Sequence, residues 1–327
     1  MNMVKVVRNI LFPTVVACSS MHSAVVQAQA YPTKSVRILV GYGPGGSTDT
    51  TARLVAQHLS DQLGKPFLVE NRPGATGTIA VDMAAKAPPD GYTIIIIAAA
   101  DAIVPAVRND LPFNLEKDLA PIALITSAPF LLVAHVSVPA DDLKSLIAYA
   151  RANPGKLNYS SSGVGSSAHI AGETLNLAAK LSIGHVPYKG SAEGAAAIAS
   201  GDVQLSYPSV TGALGMPKAG RIKAIAVTSG KRSVLMPNVP SMNESGLPGF
   251  DRTGWYGMLG PAGTSREVIN RLNSLVGEIV NKPEVKDLLF KQGLESERST
   301  PEQLGALIKR EIEQNRMVVK AVNLTLN

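Results

Sequence analysis

Cysteine is nearly missing from this chain: its 327 residues include one, Cys18. One thiol excludes an internal disulfide framework and any thiolate-built metal centre. Histidines are also few, at five. His58, His135 and His185 lie on helix or strand patterns, with no His, Cys or carboxylate at ligand spacing, so they read as structural residues and no metal or cofactor is expected. Excess charge of one sign is small. The formal +6 falls to +4 once Lys5 and Arg8 of the N-terminal segment are set aside, and the remaining cations form no block, which removes nucleic acid as a partner. After residue 30 no apolar run approaches the length that spans a bilayer. Aromatic residues reach only 5%, whereas 45% are hydrophobic and Gly (29) and Pro (22) are plentiful, the composition of a globular chain with many tight connections.

Residues 1–30 have the form of a secretory signal. Lys5 and Arg8 precede the apolar stretch Ile10–Ala17, and Ala28–Gln29–Ala30 forms a cleavage site before Tyr31. A cut there removes the only cysteine. Val15–Val16–Ala17–Cys18 offers a competing lipoprotein-type cut that would leave a lipid anchor on Cys18. The length that remains is more than one core usually serves, which predicts two domains.

Patterning predicts an α/β fold. The apolar run Val36–Val40 leads into Gly41–Tyr42–Gly43–Pro44–Gly45–Gly46, and Ala52, Val55, Leu59 and Leu63 then recur at helical spacing. Strands at 67–70 and 92–98 and a helix over 77–87 continue the unit, predicting a parallel sheet covered by helices. Two apolar runs in 120–136 flank Ser127–Pro129. A helix over 141–151, a strand at 157–159, the serine-rich segment 160–167, a helix through Ala179 and a strand at 183–186 repeat the opening pattern. Segments 193–200, 203–207 and 222–227 extend it, and a strand at 253–259 and two helices follow. Thr264 with Glu267 and Thr300 with Gln303 fit capping boxes, with Pro301 in the first turn. A crossover near 128 and a return near 235 predict domain 1 as 31–128 plus 235–327 and domain 2 as 129–234.

Two strand-to-helix turns carry the candidate chemistry. Tyr42–Gly43–Pro44–Gly45–Gly46–Ser47–Thr48–Asp49 offers unpaired amides at a helix start, a place for a carboxylate or phosphate without a lysine; the plainer role for Ser47 or Thr48 is to cap the helix. No Gly-Lys-Ser/Thr follows and Pro44 breaks the dinucleotide spacing, so a nucleotide is disfavoured. Ser160–Ser161–Ser162–Gly163–Val164–Gly165–Ser166–Ser167 repeats the device and lacks the Gly-x-Ser-x-Gly elbow of a serine hydrolase. His169 is placed to donate, uncharged, to a bound carboxylate. Asp49 either orients its loop or receives a ligand ammonium group. Asp101, after Ala98–Ala99–Ala100 at the end of a buried strand, either faces the cleft or caps the following turn. Hydrolysis by Ser161, Ser162 or Ser166 with His169 lacks an oriented nucleophile, base and acid set.

The order of these segments resembles the Bug group, periplasmic solute receptors of tripartite tricarboxylate transport systems. The resemblance runs over nearly all of 31–320. It passes through Gly43–Pro44–Gly45–Gly46, Asp49 with Ala52–Arg53, Glu70–Asn71–Arg72–Pro73–Gly74–Ala75, Pro89–Asp90–Gly91–Tyr92–Thr93, Pro154–Gly155–Lys156–Leu157–Asn158–Tyr159, His185–Val186–Pro187–Tyr188–Lys189–Gly190 and Pro261–Ala262–Gly263–Thr264. It implies a two-lobed periplasmic binding protein fold, type II-like, of two Rossmann-like domains with an inter-lobe ligand cleft. The implied protein is a non-enzymatic periplasmic receptor, monomeric, handing a small organic carboxylate to a membrane permease. Residues 42–48 and 161–167 would hold the carboxylate, and Tyr188–Lys189–Gly190, Tyr207, Pro208 and Ser209 would line the cleft wall. Ala98–Ala99–Ala100–Asp101 departs from the more hydroxylated segment of many relatives, which leaves citrate unsupported and makes Ala99 and Asp101 candidate contacts.

Overall fold

The computed structural model describes residues 31–213, 216 and 220–324, so the presequence calls, Cys18 included, lie outside the described residues. The chain opens as β1 (Val36–Val40), α1 (Ser47–Leu63), β2 (Phe67–Asn71), α2 (Thr78–Ala85) and β3 (Thr93–Ala98). A single turn at Ala99–Ala102, the short α3 (Val104–Val107) and the long β4 (Leu119–Pro129) complete the first passage. The second lobe holds β5 (Leu131–His135), α4 (Leu143–Ala152), β6 (Asn158–Ser161), α5 (Ser167–Ala179), β7 (Gly184–Pro187), α6 (Ser191–Ser200), β8 (Leu205–Ser206), α7 (Val210–Ala213) and β9 (Ile222–Val227). The return adds β10 (Thr253–Pro261), α8 (Arg266–Asn281), α9 (Pro283–Lys291), β11 (Glu295–Ser296) and α10 (Pro301–Ala321).

The strands form two sheets, ordered β11-β4-β10-β3-β1-β2 and β7-β6-β8-β5-β9. Both are mixed where parallel sheets were expected. β1 runs parallel to β2 and β3, and β6 to β7 and β8, but the strands that carry the chain between lobes enter antiparallel: β10 against β3 and β4, and β5 against β8 and β9. β3 is buried along its whole length because helices cover both faces. Ile95 and Ile97 share a core with Ala80 of α2 and Leu304 and Ile308 of α10, while Ile94 and Ile96 are buried on the other side. Each such side chain contributes about 1.5–3 kcal/mol relative to exposure.

The lobes are joined twice. The outward crossing is one residue, Phe130, between β4 and β5. The return expected near 235 comes later, because Leu235 packs in one core of the second lobe and Met242, Leu247 and Phe250 in the other. These apolar residues are aperiodic, so their allegiance is decided by packing alone. The chain re-enters the first sheet at Thr253, directly after Arg252. Thr228 braces both crossings: its N–H donates to the Phe130 carbonyl (2.9 Å), its carbonyl accepts from Arg252 N–H (2.8 Å), and its hydroxyl donates to the Arg252 carbonyl (2.8 Å).

One of the two expected capping boxes forms and the other does not. The Thr300–Gln303 capping box forms as expected, with both reciprocal bonds and Pro301 in the first turn. For α8 the cap is Ser265, whose hydroxyl accepts from Val268 N–H; Thr264 donates instead to the Pro261 carbonyl and closes the preceding turn.

Candidate functional site

The serine-rich segment leaves β6 at Ser161 and enters α5, where Ser166 is the N-cap and accepts from His169 N–H (3.3 Å). Gly163 and Gly165 sit at φ 127° and 77°, backbone that favours glycine, and this lets the chain turn within one strand-to-helix step. Ser161 is buried. Its Oγ donates to the Gly163 carbonyl (2.9 Å), accepts from Gly163 N–H (3.1 Å) and lies 2.6 Å from His185 Nε2. His169 Nδ1 accepts from Gly165 N–H (3.0 Å), so this histidine serves its own loop.

A second helix starts beside it. β7 ends at Pro187, Gly190 is the N-cap of α6, and Ser191, Gly194 and Ala195 face the same space as the α5 turn. Between the two helix beginnings, at the carboxyl ends of β6 and β8, lies a cavity of about 360 Å³. Its lining is Ser160, Ser161, Ser162, Ser166, Ser167, Ala168, Ser191, Gly194, Ala195, Ser206, Tyr207, Pro208 and Ser209, with Phe130 from the crossing and Ala100 from the first lobe. Eight of these are serines and none is charged. Two form the floor, where Ser160 Oγ donates to Ser206 Oγ (2.8 Å). First-turn amides of a helix have no partner within it and carry partial positive charge, so two converging starts suit an anionic oxygen without a lysine or arginine.

The first glycine turn is held rigidly but does not line this cavity. Asp49 is buried; its Oδ2 accepts from Gly45 N–H (2.9 Å) and Arg53 Nε (3.0 Å), and its Oδ1 from Asn71 Nδ2 (2.8 Å). Asn71 Nδ2 also donates to the Tyr42 carbonyl (3.0 Å), tying the turn to β2. Burial alone would raise the Asp49 carboxyl, but the bonds from Arg53, Gly45 and Asn71 outweigh it and hold it below the usual carboxylate range. The geometry gives Asp49 the loop-orienting role. Pro44, Gly45, Gly46 and Ser47 are exposed, and Thr48 is buried in the first turn of α1, whose N-cap is Gly46 without a side-chain cap.

Asp101 is turned inward. Its Oδ2 accepts from Ala98 N–H (2.7 Å), and its Oδ1 and the Tyr42 ring both close over Gly77, where a Cβ would come within 2.3 Å of the carboxylate. Burial, against the Ala98 bond, pushes its pKa up to about 7. Of the segment after β3, it is Ala100 that reaches the cavity, while Ala99 lines a small void at the hinge. Tyr188 and Lys189 lie off the lining too. Tyr188 packs against the second-lobe core and Lys189 N–H donates to Glu193 Oε2 (3.0 Å).

Sequence reasoning overlooked Ser191, Ser206 and Phe130, whereas Ser160 stood at the head of the serine-rich segment. A third strand-glycine-helix step, β7–Gly190–α6, was the available signal for Ser191. Ser206 lies on a two-residue strand whose place is set by pairing with β5 and β6, which no local pattern carries. Among the described residues no cluster of three or more His, Cys, Asp or Glu suits a metal ion, and no helix is long and apolar enough to cross a membrane. The Ser161–His185 contact does not make a hydrolytic set: the serine is buried, and His185 is flanked by the rings of His169 and Tyr159.

Comparison with known proteins adds the following. Residues 51–324 match the family described as tripartite tricarboxylate transporter family receptor. The chain is 32% identical over 306 residues to Protein BugT of Bordetella pertussis, covering 93% of this chain and 94% of that one. Among solved structures it is similar to R. palustris Rpa4515 with adipate, at TM-score 0.72 and 31% identity, covering 90% of this chain and 99% of the other. It is also similar to MatC (Rpa3494) from Rhodopseudomonas palustris with bound malate, at TM-score 0.69 and 31% identity, covering 88% and 100%.

Proposed function

This chain belongs to the tripartite tricarboxylate transporter receptor family, and from that premise we propose that it captures a small carboxylate at the paired helix starts of α5 and α6 and releases it to its membrane permease. It is a two-lobed periplasmic solute-binding receptor and not an enzyme. The observation that carries the site is the uncharged cavity of about 360 Å³ walled by eight serines. A carboxylate there is satisfied by hydroxyls and helix-start amides, and Phe130, Tyr207 and Pro208 cover a short carbon body. Relatives that hold adipate and malate support a ligand of that class.

Closure would bring the loop 42–48 of the first lobe over the ligand from above Ala100 and add amides that the cavity lacks. Neutral donors suit delivery, because a desolvated ion pair with Arg or Lys would hold the cargo more strongly than a receptor that must release it requires. The receptor acts as a single chain in this reading.

The test is a thermal-shift panel of C4–C6 dicarboxylates, tricarboxylates and aromatic monocarboxylates, followed by calorimetry on any hit. Selective stabilisation by one class, weakened at least tenfold by Ser162→Ala or Ser191→Ala, is expected. No shift across the panel, or a shift indifferent to both substitutions, would overturn the assignment.

A further inference from the structure

Under the serine-glycine loop two imidazoles lie face to face. The rings of His169 and His185 stack at 3.8 Å with an interplanar angle of 14°, one from the start of α5 and the other from β7. Each is tied to a different glycine of the loop. His169 Nδ1 accepts the Gly165 N–H (3.0 Å), and His185 Nε2 lies 2.6 Å from Ser161 Oγ, which in turn accepts the Gly163 N–H (3.1 Å). Tyr159 backs the stack, its ring centroid 5.1 Å from that of His185, and its hydroxyl donates to Glu173 (2.7 Å).

We propose that His169 and His185 are positioning residues that hold the loop 161–167 in its ligand-receiving shape only while the stacked pair is uncharged, and that acid releases the loop and its cargo. This inference rests on the reading that the loop receives a carboxylate. The hydrogen-bond chemistry requires it at His169. An N–H donor can be answered only by an unprotonated Nδ1, so a proton on that atom replaces an acceptor with a second donor and leaves Gly165 N–H facing it. At His185 the bond to Ser161 survives protonation with its direction fixed. A cation there lies 3.8 Å from the neighbouring ring, and two imidazolium rings at that distance repel.

The surroundings favour the neutral pair. The titratable groups packed about it are Glu173 of α5, Tyr159 of β6 and Tyr207 beyond β8; burial pushes both tyrosines up, so they stay neutral. Burial, and then the neighbouring His169, draw His185 down to about 4, and burial also lowers His169 against the opposing pull of Glu173. The loop is therefore in its held form at neutral pH.

The experiment needs no ligand. In the purified protein, imidazole ¹⁵N shifts and amide exchange protection at Gly163 and Gly165 are followed from pH 7.5 to 3.5 by NMR. The expected result is His169 as its Nε2–H tautomer, both rings titrating below the ordinary histidine range, and protection at Gly165 falling tenfold or more over the same interval. His169→Gln, whose amide oxygen accepts without titrating, is expected to keep Gly165 protected and to remove the pH dependence there. His169→Phe, which keeps the stack but not the acceptor, loses the protection at every pH. Rings that titrate ordinarily without any change at the two glycine amides would overturn the proposal, as would protection that survives His169→Phe. If His169→Phe does not fold, the wild-type titration and His169→Gln decide alone. A glycine response as described, in a protein that binds no carboxylate, would sink the functional reading and with it the release of cargo, and leave the histidine hold on the loop standing.

Discussion

Arg252 is expected to be the most costly single residue of the hinge to remove. It is buried at 7% exposure, and its guanidinium reaches two helices through three contacts: Nε donates to Thr174 Oγ1 of α5 (3.0 Å), NH1 donates to Asn315 Oδ1 of α10 (2.9 Å), and NH1 lies 3.7 Å from Glu311 Oε2, also of α10. Glu311 and Asn315 are themselves buried, and Asn315 Nδ2 donates to the Ala102 carbonyl (3.2 Å). Arg252→Ala takes from the buried Glu311 carboxylate its nearest counter-charge and leaves a buried amide oxygen with no donor. Removing one partner of a buried pair costs about 3–5 kcal/mol, whereas replacing both with apolar groups of similar volume is often close to neutral. The single variant should therefore lower the urea midpoint by about 1–1.7 M at a slope of about 3 kcal/mol/M. Arg252→Met with Glu311→Leu should recover more than half of that loss. A single variant within about 1 kcal/mol of wild type, or a double variant that loses the sum of the two singles, would refute the account of the hinge as a charge-compensated network.

Gly172 lies inside α5, where alanine is ordinarily better by about 1 kcal/mol. A Cβ there would sit 2.4 Å from the Tyr159 ring, so Gly172→Ala is expected to destabilise by about 1–3 kcal/mol in urea unfolding and to disturb the histidine stack. Asp49→Ala should lose about 2–4 kcal/mol and expose the Gly45 amide to rapid exchange, because Gly45, Arg53 and Asn71 all donate to that carboxylate. Asp101 and His185 pull stability in opposite directions with pH. A carboxyl raised to about 7 favours the folded state at low pH and loses that contribution as pH rises through 7, whereas an imidazole lowered to about 4 favours the folded state above its unfolded pKa and loses it as pH falls toward 4. Asp101→Asn should accordingly gain stability relative to wild type at pH 8 compared with pH 5, measured as the difference in urea midpoints; an equal difference at both pH values would contradict the assigned burial.

The parts of the site written into local pattern were legible. Strand, glycine turn and helix recur as contiguous signals, and Ser166 beside His169 marks the start of α5 in the sequence as it does in space. What escaped depends on pairing over long separations. Ser206 meets Ser160 across 46 positions, and Arg252 meets Asn315 across 63. Asp101 was placed correctly at the end of a buried strand, but only the orphan Ala98 N–H beside it determines that its carboxylate turns inward. In α10 a signal did exist. Leu304, Ile308 and Ile312 define a buried stripe, and Glu311 and Asn315 interrupt it with polar groups that a purely apolar core would exclude.

That interruption connects the hinge with the cavity. α5 begins at the loop that lines the cavity and carries Thr174 two turns further on, where it meets Arg252. From Arg252 the hydrogen bonds continue through Asn315 to the carbonyl of Ala102, which closes the same single turn that presents Ala100 to the cavity. Both walls of the site are therefore fastened to one buried guanidinium. A shift of α5 relative to the 99–102 turn has to lengthen a charge-assisted bond or carry Arg252 with it. Phe130 and Arg252, the two crossings, are both hydrogen-bonded to Thr228. The two crossings and both walls of the cavity thus meet in one buried polar network. Ile103, Ile170, Val318 and Val319 form an apolar cluster beside that network, and Ile103 and Ile170 share a small void with Arg252, Glu311 and Asn315, so the polar groups meet in surroundings that make each of their hydrogen bonds costly to lose.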